Sequence, residues 1–150
     1  MMQRSDMEQY MRLALENARA AFASGEVPVG AILIQNGEVV ASAYNRMEQL
    51  GDATAHAELL CLRSAMEKLG ARLTDCTLFV TLEPCAMCAG ACVNAKLGRL
   101  VYGAFDDACG CCGSKMDLTD HCFLHSIEVW GGILEPECSQ ILSQFFQALR

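Results

Sequence analysis

Proline, tryptophan and basic charge are scarce in this chain of 150 residues, which has three prolines, one tryptophan, 7% aromatics, and 11 Lys and Arg against 18 Asp and Glu. So few prolines, with no repeat and no low-complexity tract, exclude an extended proline-rich architecture. The net charge of −7 disfavours a broad electropositive surface for phosphate backbones, so any nucleic-acid role must rest on a local site. Nor is there an uninterrupted apolar run of about 18 residues, the length a spanning helix needs. The most apolar stretches, Val27 to Ile34 and Ala86 to Val93, are short and broken by Pro or Gly. Met1 to Glu8 is charged and lacks the apolar core of a secretory signal, so no membrane span and a cytoplasmic location are expected.

What the chain has in excess is cysteine: Cys61, Cys76, Cys85, Cys88, Cys92, Cys109, Cys111, Cys112, Cys122 and Cys138. In a reducing compartment these point to metal ligation, catalysis or packing rather than to a disulfide scaffold. The length and the 53% apolar content suit one domain over residues 1–150 with a core of its own.

Ser5-x-x-Glu8 has the form of a capping box. Met7, Met11, Ala14, Leu15, Ala18 and Phe22 recur at helical spacing, so a first helix is expected until Gly25. Val29 to Ile34 and Glu38 to Tyr44 flank Asn36-Gly37, the strongest short signal for a hairpin. A second helix is expected from Ala53–Ala55 to Gly70, burying Ala57, Leu60, Cys61, Ala65 and Leu69. Strand three follows at Cys76 to Leu82, and Pro84 suits the first turn of a helix running to Leu97. Arg99 to Ala104 reads as strand four. Phe105 to Leu118 reads as a loop with a short helical piece, Ile127 to Trp130 as strand five, and Ile133 to Leu149 as a last helix. Such alternation predicts an α/β fold with a mixed sheet between helices.

Two segments carry chemistry: His56-Ala57-Glu58, and Pro84-Cys85-Ala86-Met87-Cys88, separated by 25 residues. Residues two apart point to opposite sides of a regular helix, so His56 and Glu58 can share a pocket only where the chain enters its first turn. Cys85 and Cys88 share a helix face. At a helix N-terminus their thiolate forms, the metal-binding ones, are favoured. One imidazole and two thiolates leave the fourth position of a tetrahedral zinc open for water, and Glu58, not a ligand, is placed to carry its proton. Taken singly, a C-x-x-C also suits redox or packing roles, His56 suits a helix start and Glu58 a solvated surface. The combination H-x-E then P-C-x-x-C matches the known signature of zinc-dependent nucleobase deaminases.

The chain resembles the cytidine-deaminase-like superfamily, and most closely the bacterial tRNA-specific adenosine deaminases of the TadA type. The likeness is carried by Glu26-Val27-Pro28-Val29-Gly30-Ala31, Tyr44-Asn45-Arg46, Ala53-Thr54-Ala55-His56-Ala57-Glu58 and Thr81-Leu82-Glu83-Pro84-Cys85-Ala86-Met87-Cys88-Ala89-Gly90-Ala91. Tyr102-Gly103-Ala104, Gly113-Ser114 and Gly131-Gly132-Ile133-Leu134 continue it. The resemblance implies a three-layer α/β/α fold with a five-stranded mixed sheet and a homodimer. It also implies hydrolytic conversion of adenosine to inosine at the wobble position of a tRNA anticodon stem-loop. His56, Cys85 and Cys88 would hold one Zn2+ and Glu58 would move protons: water activated at the zinc adds to C6 of adenine while Glu58 protonates the ring nitrogen, then helps ammonia depart. Asn45 would touch the purine, and Val27, Pro28, Val29, Ala57 and Pro84 would wall its pocket.

Within the superfamily, free cytidine deaminases usually have Cys where His56 stands, and riboflavin-pathway deaminases have a longer gap between the thiolates. Noncatalytic subunits lack the glutamate. Guanine deaminases share H-A-E and P-C-x-x-C, so deamination of a small free base or nucleoside such as guanine is the alternative. TadA-type chains place basic residues after strand four and at the C-terminus, whereas here only Lys115 and Arg150 are basic in the last fifty residues. Arg46, Lys96, Arg99 and Lys115 are the expected phosphate-contacting edge, with a solvated surface as their other reading. Cys109, Cys111 and Cys112, with His121, Cys122 and His125, are open to a second metal site or to plain packing, which suits small apolar thiols. Burial is expected for Cys61, Cys76, Cys92 and Cys138.

Overall fold

The computed structural model describes residues 2–150. Its elements run α1 (Arg4–Ala23), β1 (Gly30–Gln35), β2 (Glu38–Tyr44), α2 (Met47–Leu50), α3 (Ala57–Leu69), β3 (Cys76–Leu82), α4 (Ala86–Asn94), β4 (Arg99–Ala104), β5 (Glu128–Gly131) and α5 (Glu135–Ala148). The strands form one sheet in the order β2-β1-β3-β4-β5. β1 is antiparallel to both neighbours, and β3, β4 and β5 are parallel. This is the expected five-stranded mixed sheet in an α/β/α sandwich.

Strand alternation divides the core in two. Ile32, Ile34, Phe79 and Val101 pack on α1 and α5 with Met7, Met11, Leu15 and Cys138. Ala31, Leu33, Leu78 and Leu100 face the other way, onto Cys61, Leu62 and Ala65 of α3 and onto Ala89, Cys92 and Val93 of α4. Asn36 and Gly37 both take positive φ, 51° and 77°, as a two-residue type I′ hairpin requires. Gly30 answers to contact: a Cβ there would lie 2.0 Å from the Ala14 carbonyl oxygen, so α1 rests directly on the β1 backbone.

Several boundaries differ from expectation. α1 is capped at Gln3, whose N–H donates to Asp6 Oδ2 at 3.1 Å, while Ser5 and Glu8 lie inside the helix. Ala21 fills the core and Phe22 packs edge-on against Phe145. α3 starts at Ala57, because Asp52 holds residues 52–54 in a turn through the Thr54 N–H and hydroxyl. It buries Glu58 and Leu62, whereas Leu69 is exposed. α4 starts at Ala86, since the Pro84 carbonyl is taken by the Cys111 N–H, and it ends at Asn94, after which Lys96 turns with φ 56°. α5 begins after Leu134, which is left-handed. The 105–118 segment consists of turns and one bridge, Cys112 to Asp117, and holds no helical piece. The four-residue α2 carries no periodic apolar signal.

Candidate active site

Strand direction gathers the site. Because β1 runs against β3, Val29 and Gly30 lie beside Thr81 and Leu82, and the Gly30 N–H donates to Thr81 Oγ1 at 3.1 Å. Tyr44 pairs with Gly30 and Ala104 with Leu82, so Asn45 and the segment after Ala104 emerge at the same end. α3 and α4 both start there. The result is a crevice beyond the carboxyl ends of the parallel strands, the usual ligand position in α/β sheets. A cavity of about 290 Å³ fills it. Its walls are Val27, Val29, Met47, Ala57 and Leu82, and polar groups enter from Asn45, His56, Glu58, Glu83, Cys85, Asp106 and Cys109.

His56 is the extended N-cap of α3 (φ −73°, ψ 150°) and Cys85 that of α4 (φ −75°, ψ 178°). His56 and Glu58, two apart, therefore both reach the cavity. His56 Nδ1 lies 3.6 Å from Cys85 Sγ and 3.6 Å from Cys88 Sγ. With zinc–sulfur and zinc–nitrogen bonds of about 2.3 and 2.05 Å, a tetrahedral ion requires an N···S edge of about 3.6 Å. The three residues thus form a group able to hold a metal ion, and among the described residues it is the one His/Cys/Asp/Glu group whose donor atoms lie within 4.8 Å of one another.

The Cys88 thiol and the His56 ring hold Cys85 down to about 3, while the same thiol–thiolate contact and burial push Cys88 up. Both contacts favour a thiolate at Cys85, the form in which a cysteine binds a metal ion. The Cys85 contact raises His56 as well. Glu58 is 4% exposed, and burial lifts its carboxyl to about 7, against the opposing pull of His56. A buried carboxyl poised near neutrality both takes and gives protons.

Asn45 presents a free acceptor. Its Nδ2 donates to the Val27 carbonyl at 3.4 Å, which fixes the orientation of the amide, and its buried Oδ1 has no partner. An unpaired buried acceptor costs free energy, and a bound molecule with a donor there satisfies it.

Pro28 and Pro84 are buried behind the walls, outside the cavity lining. Exposed Arg46 adjoins Asn45, its Nε donating to Gln49 Oε1. Lys115 is exposed on the 105–118 loop. Arg99 starts β4 opposite Thr77, roughly 16 Å along the strand from Ala104, and pairs with Glu128. Lys96 lies at that same far end.

The loop thiols form no second donor cluster among the described residues. Cys111 and Cys112 are core residues and Cys109 is exposed at the cavity. Cys122 donates to the Asp117 carbonyl, His125 to the Leu97 carbonyl, and His121 faces Asp120. Cys61, Cys76, Cys92 and Cys138 are buried as expected.

Sequence reasoning passed over Met47, Leu82 and Asp106 in the lining, and over Glu26 and Glu83; Cys109, read for a second metal site or for packing, lines this cavity instead. The two glutamates are 1% and 2% exposed. Glu26 accepts from the Glu48 and Gln49 N–H groups, fixing α2 at the cavity edge. The signal for both was a lone carboxylate inside an apolar run.

Residues 5–150 match the MafB19-like deaminase family. The chain is 48% identical over 145 residues to the tRNA-specific adenosine deaminase of Bacillus subtilis, covering 95% of this chain and 90% of that one. A solved structure from a study of A-to-I editing by tRNA:A34 deaminases is 42% identical, with a TM-score of 0.81, over 89% of this chain and 98% of that one. Guanine deaminase from Nitrosomonas europaea superimposes with a TM-score of 0.81 at 27% identity, over 92% of this chain and 83% of that one. A His, Cys, Cys donor set beside a buried carboxyl, on this fold and at these identities, has one meaning: the chain belongs to the MafB19-like deaminase family and, within it, to the tRNA-specific adenosine deaminases.

Proposed function

We propose that this protein is a zinc-dependent hydrolase that converts adenosine to inosine at the wobble position of a tRNA anticodon. The observation that carries the chemistry is the pair of 3.6 Å edges from His56 Nδ1 to Cys85 and Cys88, with Glu58 buried in the same cavity. His56, Cys85 and Cys88 hold Zn2+, which when bound supplies a Lewis acid that activates water at neutral pH. Glu58 would take a proton from the attacking water and deliver it to the purine ring nitrogen, then take the proton of the new C6 hydroxyl and deliver it to the amino group, which leaves as ammonia. Asn45 Oδ1 accepts from an N–H of the base. Val27, Val29 and Ala57 keep water from its faces, and Pro28 and Pro84 stiffen those walls from behind.

The identity of 48% and 42% to tRNA deaminases, against 27% to a guanine deaminase, supports RNA as the substrate. Arg46 and Lys115 are assigned to phosphate contacts. Lys96 and Arg99 stand at the opposite end of the sheet and are left out of that role. A homodimer rests on the likeness to the family. A cytoplasmic location suits a chain whose ten cysteines are free thiols; among the described residues no helix is long and apolar enough to cross a membrane.

The test is to incubate the purified protein with a wobble-adenosine stem-loop and, separately, with guanine, adenosine and cytidine. Inosine in the RNA alone supports the reading, and turnover of free compounds only overturns it.

A further inference from the structure

Glu83 lines the cavity yet has no acceptor to spare. Its Oε1 accepts from the Asp106 N–H at 3.1 Å and the Ser114 hydroxyl at 2.5 Å. Its Oε2 accepts from the Cys112 N–H at 3.1 Å and the Ser114 N–H at 3.0 Å. A carboxylate offers about four lone-pair sites, and all are taken by one loop. The same loop is tied to the next residue by the Cys111 N–H on the Pro84 carbonyl at 2.9 Å. Gly110 lies so close that a Cβ would fall 2.4 Å from Glu83 Cδ. The loop in turn supplies Asp106 and Cys109 to the cavity wall, and Asp106 Oδ1 is itself engaged by the Ala108 and Cys109 N–H groups.

We propose that Glu83 is a positioning residue for the deaminase reaction: it fastens the 105–118 loop to the segment that carries Cys85, and so sets the wall against which the substrate nucleotide rests. The inference builds on the function proposed above. With its lone pairs filled, Glu83 neither accepts a substrate proton nor binds the base; it acts through Asp106 and Cys109. Glutamine is nearly isosteric but offers one oxygen and an amide donor: with its oxygen kept on the Cys112 and Ser114 N–H groups, the amide can donate to the Ser114 hydroxyl but is set against the Asp106 N–H, so Glu83→Gln loses that bond, brings two donors face to face and loosens the loop.

The experiment measures zinc content, kcat and KM on the stem-loop for the holoenzyme, E83Q, S114A and Ser114→Thr, together with hydrogen exchange of residues 105–118. E83Q should keep one zinc per chain, exchange faster in that loop only, and raise KM by about tenfold or more, with kcat changed by less than about threefold. S114A, which removes one bond, should raise KM about threefold, and Ser114→Thr should restore it. An unchanged KM in either E83Q or S114A overturns the proposal, as does loss of zinc or a kcat-only loss in E83Q. Should E83Q fail to fold, S114A and Ser114→Thr decide alone. A wild-type protein silent on RNA contradicts the proposed substrate, and loop exchange in E83Q still reports on the clamp.

Discussion

Glu58→Gln separates the carboxyl's role in chemistry from its cost to the fold. The amide fills the same volume in a position 4% exposed, so the cavity persists. Because Glu58 is assigned no ligand role, the variant should retain one zinc per chain while kcat falls by about a thousandfold, within the range for losing a general acid–base. Stability should move the other way. Burial lifts the carboxyl from 4.5 to about 7, equivalent to about 3 kcal/mol against its ionised form. A raised acid favours the neutral folded state. The wild type therefore carries no penalty near pH 4.5, loses stability as pH rises toward 7, and keeps the full deficit above it. Urea unfolding of the chelated proteins should find the variant and the wild type equal at pH 4.5, and the variant more stable by about 3 kcal/mol at pH 8. Loss of zinc from the variant refutes the assignment of Glu58 as a non-ligand, residual turnover near wild type refutes its proton role, and equal stability at pH 8 refutes the burial argument.

Elemental analysis should return one zinc per chain, kept when Cys111 and Cys112 are both replaced by Ala and lost in Cys88→Ser; a second ion that disappears with the loop cysteines would revive the second site. Gly30→Ala drives a methyl to 2.0 Å from the Ala14 carbonyl oxygen and should cost about 3 kcal/mol, a fall in Tm of about 10 °C. A melt within about 2 °C of wild type would show that α1 yields easily. Asn45→Ala removes the orphaned acceptor, so KM for the stem-loop should rise threefold to tenfold or so at unchanged zinc content; an unaltered KM would mean that the base does not use it.

How far the sequence could be read follows from the range of the interactions involved. His56, Glu58, Cys85 and Cys88 were legible because each pair sits within one helix turn and the chemistry dictates its spacing. The hairpin was legible because Asn36-Gly37 suits only a turn with positive φ at both residues, and α1 because Met7, Met11, Ala14 and Leu15 share one stripe. Glu26 and Glu83 were not, since their partners, backbone N–H groups and for Glu83 also the Ser114 hydroxyl, lie 22 to 31 residues away and carry no sequence signal. The start of α3 was displaced by the Asp52 side-chain turn, and that of α4 by the backbone bond from the Cys111 N–H to the Pro84 carbonyl. Lys96 and Arg99 were grouped with Arg46 and Lys115 on charge alone. Strand direction, a property of the whole sheet, puts them at its other end.

The central claim is hydrolytic, metal-dependent deamination of an adenosine held in RNA. It is tested most directly by treating a wobble-adenosine stem-loop with the zinc-loaded protein in heavy-oxygen water and analysing the nucleosides by mass spectrometry. The account predicts inosine at the wobble position alone, its base oxygen drawn from the labelled water, and none after zinc is removed. Unlabelled inosine, inosine formed by the stripped protein, or RNA left intact while free guanine is consumed would contradict it.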